Sequence, residues 1–248
     1  MPIHRPEYFE HGVYHIYNRG VAKMPTFLCT DDYRDFQDIL RYLLIGFLTQ
    51  KDAILPLPIN NSNLPVTYKA DPLSNGLFRP LLDLIAYCLM PNHFHLLIQI
   101  KVPIAEIKQD GRRIASFWSV SEFMRRLCIT YSHKFNRRSK REGVVFQGRF
   151  KIKHIPKDSD VLQVSRYIHM NPVIAGLVTK PEQWLFSDYH AYILPQDLPS
   201  HSVTNTDLLL SFFNRSSQRY KEFVDGVISE QEGKIVGKYI VDQDQEQA

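Results

Sequence analysis

Leu84-Ile-Ala-Tyr-Cys-Leu-Met-Pro-Asn-His-Phe-His-Leu-Leu-Ile-Gln-Ile100 is two apolar runs separated by Pro91-Asn92. Each run has the length and the β-forming composition of a buried strand, and the Pro-Asn pair allows a sharp reversal, so the stretch predicts a hairpin. Its second arm carries His93 and His95. In an extended chain, residues i and i+2 point to the same face. Phe94, Leu96 and Ile98 then face a core, while two imidazoles about 7 Å apart look the other way. Such a pair can grip one metal ion. On its own, His-x-His is as readily a pair of surface or hydrogen-bonded histidines, and its weight depends on the rest of the chain.

Working outward, His11-Gly-Val-Tyr-His-Ile-Tyr-Asn18 alternates and is rich in β-formers, and it stops at Asn18-Arg-Gly20. Asp31 and Asp32 open a helix in which Phe36, Ile39, Leu40, Leu43 and Leu44 repeat at helical spacing. Residues from about 49 to 79 hold Pro, Asn and Ser with little periodicity and predict an inserted loop. After the hairpin, Ser119 or Ser121 opens a helix through Phe123, Leu127, Tyr131 and Phe135. Val144 to Ile155 then reads as a strand with cations at alternate positions. Asp158-Ser-Asp160 caps a further helix, which Pro172 should end near Asn171. The first six elements spell βαββαβ. We therefore expect an α+β, ferredoxin-like antiparallel sheet with helices on one face, plus an additional helix. The boundaries expected are 1–194 for the main domain and 195–248 for a helical extension with a frayed polar tail.

The chain has 248 residues, 44% hydrophobic and 23% charged, with a net charge of +4. These values fit a globular protein with an ample core. Three widely spaced cysteines suggest no disulfide framework, and the absence of a signal-like or membrane-spanning apolar run fits a cytoplasmic location with no membrane partner. The charge is unevenly placed. Arg125, Arg126, Lys134, Arg137, Arg138, Lys140, Arg141, Arg149, Lys151 and Lys153 face a single acid, Glu142, over that span. A charge run is commonly a solvated helix face, but an imbalance of ten to one favours a polyanion such as DNA. In the last helix Gln163, Tyr167 and Asn171 are spaced by four and share a face, while Val161, Val164 and Ile168 form the packing face. Tyr131, spaced with Leu127 and Phe135, reads as core.

Taken together, Met90-Pro-Asn-His-Phe-His95, Gln147-Gly-Arg-Phe-Lys151 and Tyr167-Ile-His-Met-Asn-Pro172 followed by Ala175-Gly-Leu-Val178 resemble the motifs of the REP-associated tyrosine transposases, single-tyrosine members of the HUH superfamily. The resemblance spans about residues 10 to 192. It implies cleavage and rejoining of single-stranded, hairpin-containing DNA with a REP-like palindrome, by a monomer or dimer. It also implies Tyr167 as the nucleophile on the additional helix, and His93 and His95 as ligands of Mg²⁺ or Mn²⁺. Asn171 stands where relatives often have a third ligand, commonly Gln. The ten cations would then contact DNA. A catalytically silent, sequence-specific DNA-binding protein on the same fold is the alternative. A replication initiator or relaxase shares the chemistry, but no helicase-like region accompanies this chain.

Overall fold

The two apolar runs pair as a hairpin. The computed structural model describes residues 7–45, 82–101, 107–109, 112–114, 120–194 and 203–239. In chain order its elements are β1 (Val13–Arg19), α1 (Thr30–Ile45), β2 (Leu82–Met90), β3 (His93–Ile100), β4 (Ile107–Gln109), β5 (Arg112–Ile114), α2 (Val120–Arg138), β6 (Lys151–Ile155), α3 (Asp158–Ile174), α4 (Tyr189–Ile193), α5 (Asp207–Ser211), α6 (Ser217–Asp225) and α7 (Glu230–Tyr239). The main sheet runs β2-β3-β1-β6, with every neighbouring pair antiparallel. Crossovers through α1 and α2 place β3 and β1 at the centre, as a βαββαβ chain requires. The β4–β5 hairpin is an insertion that the sequence pattern did not reveal. The loop expected at 49–79 and the polar tail at 242–248 lie outside the described residues.

Strand alternation divides the sheet into two faces. Tyr14, Ile16, Leu89, Phe94, Leu96 and Ile98 bury against Phe36 and Leu40 of α1 and Phe123, Leu127 and Tyr131 of α2. This is the helical face anticipated from the element order. The other face is also covered. Val13, Cys88, Met90, Leu97 and Ile155 pack with Val161, Val164 and Ile168 of α3, and Tyr220, Val224 and Tyr239 of α6 and α7 join the same core. The segment from 203 to 239 thus closes over α3. At the centre of this layer, the buried Asp188 carboxylate accepts from the Tyr87 N–H at 2.8 Å, His169 Nε2 at 3.1 Å and Thr204 Oγ1 at 2.8 Å. The Tyr220 hydroxyl meets His169 Nδ1 at 2.9 Å. Asp188 holds together the edge strand, α3 and the C-terminal layer.

Three local expectations need correction. The strand expected from Val144 begins only at Lys151. Gly143 and Gly148 have φ of +91° and +67°, so the chain turns there instead of extending. Val145 and Phe146 bury their side chains from that loop. The helix expected to stop at Asn171 runs to Ile174 with Pro172 inside it. Proline removes one intrahelical N–H, and so near the end of a helix the loss is confined to one bond. The stop is Gly176, at φ +69°. Leu177 N–H donates to Pro172 O and Gly176 N–H to Val173 O, both at 2.9 Å, which is the Schellman pattern. At the other end, Asp158 and Asp160 lie in the first turn of α3, but no side chain caps it. They oppose the positive end of the helix dipole instead.

Candidate active site

Register assembles the site on the face under α3. Directly opposed residues of neighbouring strands share a face. One row therefore reads Cys88, His95, Tyr17, Lys151 across β2, β3, β1 and β6. The row toward the hairpin turn holds Met90, His93 and Arg19, and the row on the other side holds Ala86, Leu97, His15 and Lys153. The His-x-His pair thus sits among aromatic and cationic neighbours. The two imidazoles lie 4.9 Å apart between ring centroids at 86°. His95 is fully buried and His93 is half-buried. Burial, reinforced by His93 and then His15, pushes the His95 pKa well below the usual histidine range, and burial brings that of His15 down to about 4. Both rings are neutral at pH 7.

The turn beside the pair is fixed from three sides. His93 Nδ1 lies 2.7 Å from Asn92 Oδ1. Asn92 Nδ2 donates to Lys23 O at 3.3 Å, which orients the amide so that its oxygen faces His93. His93 therefore donates from Nδ1, and Nε2 carries the lone pair. Gly20 N–H donates to Asn92 O at 2.7 Å. A Cβ at Gly20 would stand 2.0 Å from Met24 O, so only glycine lets the chain leave β1 here. Gln147 of the Gln-Gly-Arg element accepts from Arg19 Nε at 2.6 Å and donates its own N–H to Arg19 O at 2.7 Å. That motif thereby meets the end of β1 beside His93.

Tyr167 and Asn171 enter from α3. The Tyr167 ring stands edge-on to His95, with centroids 5.8 Å apart at 83°. Tyr167 is partly buried, against the same core as α3. Asn171, one turn on, is 5% exposed, and its Nδ2 makes no hydrogen bond. The third member of the stripe, Gln163, donates to Glu232 of α7 at 2.9 Å and serves the C-terminal layer. His169 faces away, as its spacing from Tyr167 demands, and His154 lies on the opposite face against Tyr14. Tyr131 is buried beyond the sheet, its hydroxyl donating to Thr26 O, with burial raising its pKa far above the usual phenol range.

Among the described residues no cluster of three His, Cys, Asp or Glu side chains forms a metal cage. The donor set is instead two imidazoles on one strand and an amide on the facing helix. A buried amide lacking a hydrogen bond needs a partner, and an amide flip presents its oxygen as readily as its nitrogen. These residues fit a divalent ion that keeps positions open for phosphate oxygens and water.

The ten cations divide. Arg125 and Arg126 both pair with Glu122, at 2.7 and 2.6 Å. Lys134 pairs with Asp35 at 2.9 Å, and Arg138 with Asp32 and Asp35 at 2.5 Å each. The sequence counted these as uncompensated because their acids lie on α1 or one turn before the span. Arg141 stands 5.6 Å over the Phe135 ring. Arg137, Lys140, Arg149 and Lys151 are exposed. Lys151 and Lys153 share the histidine face; Lys151 Nζ lies 5.5 Å over the Tyr17 ring, and Lys153 Nζ donates to Lys238 O at 2.6 Å. Sequence reasoning missed His15, Tyr17 and Arg19 as neighbours of the pair. Their alternation in β1 was visible, but which face they shared with β3 was not.

No protein-family model matches the chain. A solved structure of a REP-associated tyrosine transposase bound to a REP hairpin superposes with a TM-score of 0.50 and 17% identity, covering 83% of this chain and 94% of the other. The fold is that of the tyrosine transposases. A curated relative from Haemophilus influenzae, described as a REP-associated tyrosine transposase, is 30% identical over 129 residues, which are 51% of this chain and 69% of the relative. The chain belongs to the REP-associated tyrosine transposase family.

Proposed function

We propose that this protein cleaves and rejoins single-stranded DNA carrying a REP-like hairpin, with Tyr167 as nucleophile and His93, His95 and Asn171 as ligands of Mg²⁺ or Mn²⁺. The observation that carries the reading is the convergence of Tyr167 from α3 on His95 from β3, on the sheet face that also holds Lys151.

The chemistry follows from the groups present. A phenol has a pKa near 10, so little phenolate exists at neutral pH. A phosphodiester anion also repels an attacking anion. A divalent ion, when bound, would offset that charge as a Lewis acid, and the nitrogen donors His93 and His95 suit Mn²⁺ better than Mg²⁺. The Tyr167 oxygen attacks phosphorus and gives up its proton to solvent. The P–O3′ bond breaks, leaving a 5′-phosphotyrosine and a 3′-oxygen that takes up a proton. Attack by another 3′-hydroxyl reverses the step on a new end. The phosphoester count is conserved, so joining needs no ATP. Lys151 supplies positive charge on the side of the sheet from which phosphate would approach.

The test is incubation of the protein with a labelled hairpin oligonucleotide and Mn²⁺. The wild type is expected to form a covalent protein–DNA band, and Tyr167→Phe is expected to form none while still retarding the hairpin in a gel. Hairpin binding without an adduct by the wild type would make the protein a silent binder on this fold.

A further inference from the structure

The buried His15 has no part in the chemistry above, yet its ring spans from the C-terminal helix to a histidine of the site. Resting on the proposed metal site, we infer that His15 is a positioning residue: it fixes the tautomer of His95 and so aims the His95 Nε2 lone pair at the metal. His15 Nδ1 lies 3.0 Å from Tyr239 O, and His15 Nε2 lies 2.9 Å from His95 Nδ1.

The hydrogens follow from the partners. A backbone carbonyl only accepts, so His15 carries its proton on Nδ1 and donates to Tyr239 O. The ring is 0% exposed, between a carbonyl at one nitrogen and an imidazole at the other, and among the described residues no carboxylate pairs with it; a second proton on Nε2 would be a buried charge without a counter-ion, which leaves Nε2 as an acceptor. His95 must then donate from Nδ1, and its lone pair is on Nε2. The opposite tautomer of His95 would set two lone pairs against each other across 2.9 Å in a buried site. One carbonyl at the end of α7 thus orders two rings in series. The geometry is further held by coplanarity: the His15 and His95 rings meet edge to edge, 17° apart with centroids 5.1 Å apart, and the Tyr17 ring runs nearly parallel to His15 at 5.1 Å and 21°. His93 reaches the same Nδ1–H state through Asn92. Both histidines therefore present Nε2, by two independent devices, and only one of them depends on residues far along the chain.

Hydrogen-bond partners of metal-binding histidines characteristically set ligand basicity and orientation, and their loss weakens metal binding roughly tenfold to a hundredfold. The experiment has two arms. In metal-free, ¹⁵N-labelled wild type, long-range ¹H–¹⁵N spectra are expected to show the Nδ1–H tautomer for both His15 and His95. An Nε2–H tautomer at His95 overturns the inference, whatever any variant does. In the second arm, Mn²⁺ binding without DNA is titrated by electron paramagnetic resonance for wild type, His15→Gln, His15→Phe and His95→Ala, with thermal unfolding as the check on folding. His15→Phe is expected to weaken Mn²⁺ binding by roughly tenfold or more. His15→Gln, whose amide oxygen can accept from His95 Nδ1–H, is expected to restore most of it. Equal weakening by Gln and Phe, or wild-type affinity in a folded His15→Phe, overturns the role of His15. If His95→Ala also binds Mn²⁺ like the wild type, the proposed metal site itself fails.

Discussion

Asn171 separates a structural role from a chemical one. As the last residue of a helix it would cap the chain before Pro172, and its loss would cost about 1 kcal/mol. The helix in fact continues to Ile174, and the Asn171 side-chain nitrogen satisfies nothing. A buried amide without a partner is a liability, and alanine is the better helix former. Asn171→Ala is therefore expected to keep or raise the melting temperature while increasing the Mn²⁺ concentration needed for half-maximal cleavage. Asn171→Gln, one methylene longer, is expected to retain metal activation. A metal titration beside a thermal melt checks both; a lower melting temperature with unchanged metal dependence would make Asn171 a structural residue. Tyr131 is sealed beneath the opposite face, which is consistent with the role proposed for Tyr167.

At the scale of the element, α2 shows how far a charge run can be read. The periodicity of Phe123, Leu127, Tyr131 and Phe135 gave the buried face correctly, and each of them is buried. The outward face was harder to read, because the acids that pair with its cations come from elsewhere. Hydrogen bonds from Arg125, and then Arg126, bring the Glu122 pKa down to about 2, so Glu122 is ionised at any working pH. Glu122→Gln removes that charge and breaks both ion pairs. If Arg125 and Arg126 lie on the DNA path, the variant is expected to bind a hairpin oligonucleotide more tightly, with a log–log salt slope steeper by roughly 0.7 per phosphate gained. An unchanged slope in filter-binding titrations would assign phosphate contact to the loop and β6 cations. The β6 strand was overextended for a comparable reason: cations at alternate positions mimic a strand, and the positive φ of Gly148 was hidden. The hairpin of β2 and β3 was legible because two apolar runs of strand length flank a Pro-Asn turn.

At the scale of the molecule, the sequence yielded the βαββαβ order and the histidine–tyrosine constellation, but not what closes over it. The C-terminal helices carry weak individual patterns, and their partners lie up to 224 residues away, as between His15 and Tyr239. Asp188 illustrates the cost of that closure. It accepts from Tyr87, His169 and Thr204 while 3% exposed. Asp188→Ala strands three donors, two of them buried, and is expected to destabilise the fold by about 3–5 kcal/mol, read by urea unfolding. The site residues on β3 would keep their register in the folded fraction, so activity should fall with the folded population and not ahead of it.

The central place of β3 has a further consequence, on the axis of time. Paired on one side with β2 and on the other with β1, β3 has no edge from which to fray. Its backbone amides are expected to exchange with deuterium only through global unfolding, whereas those of α3 can also exchange when the C-terminal layer lifts. Native-state exchange should therefore show His95 among the slowest amides of the protein and Tyr167 exchanging through a lower-energy opening. The two halves of the site would then keep different clocks: an immobile strand that carries the proposed ligands, and a proposed nucleophile whose helix would part from it without unfolding the sheet.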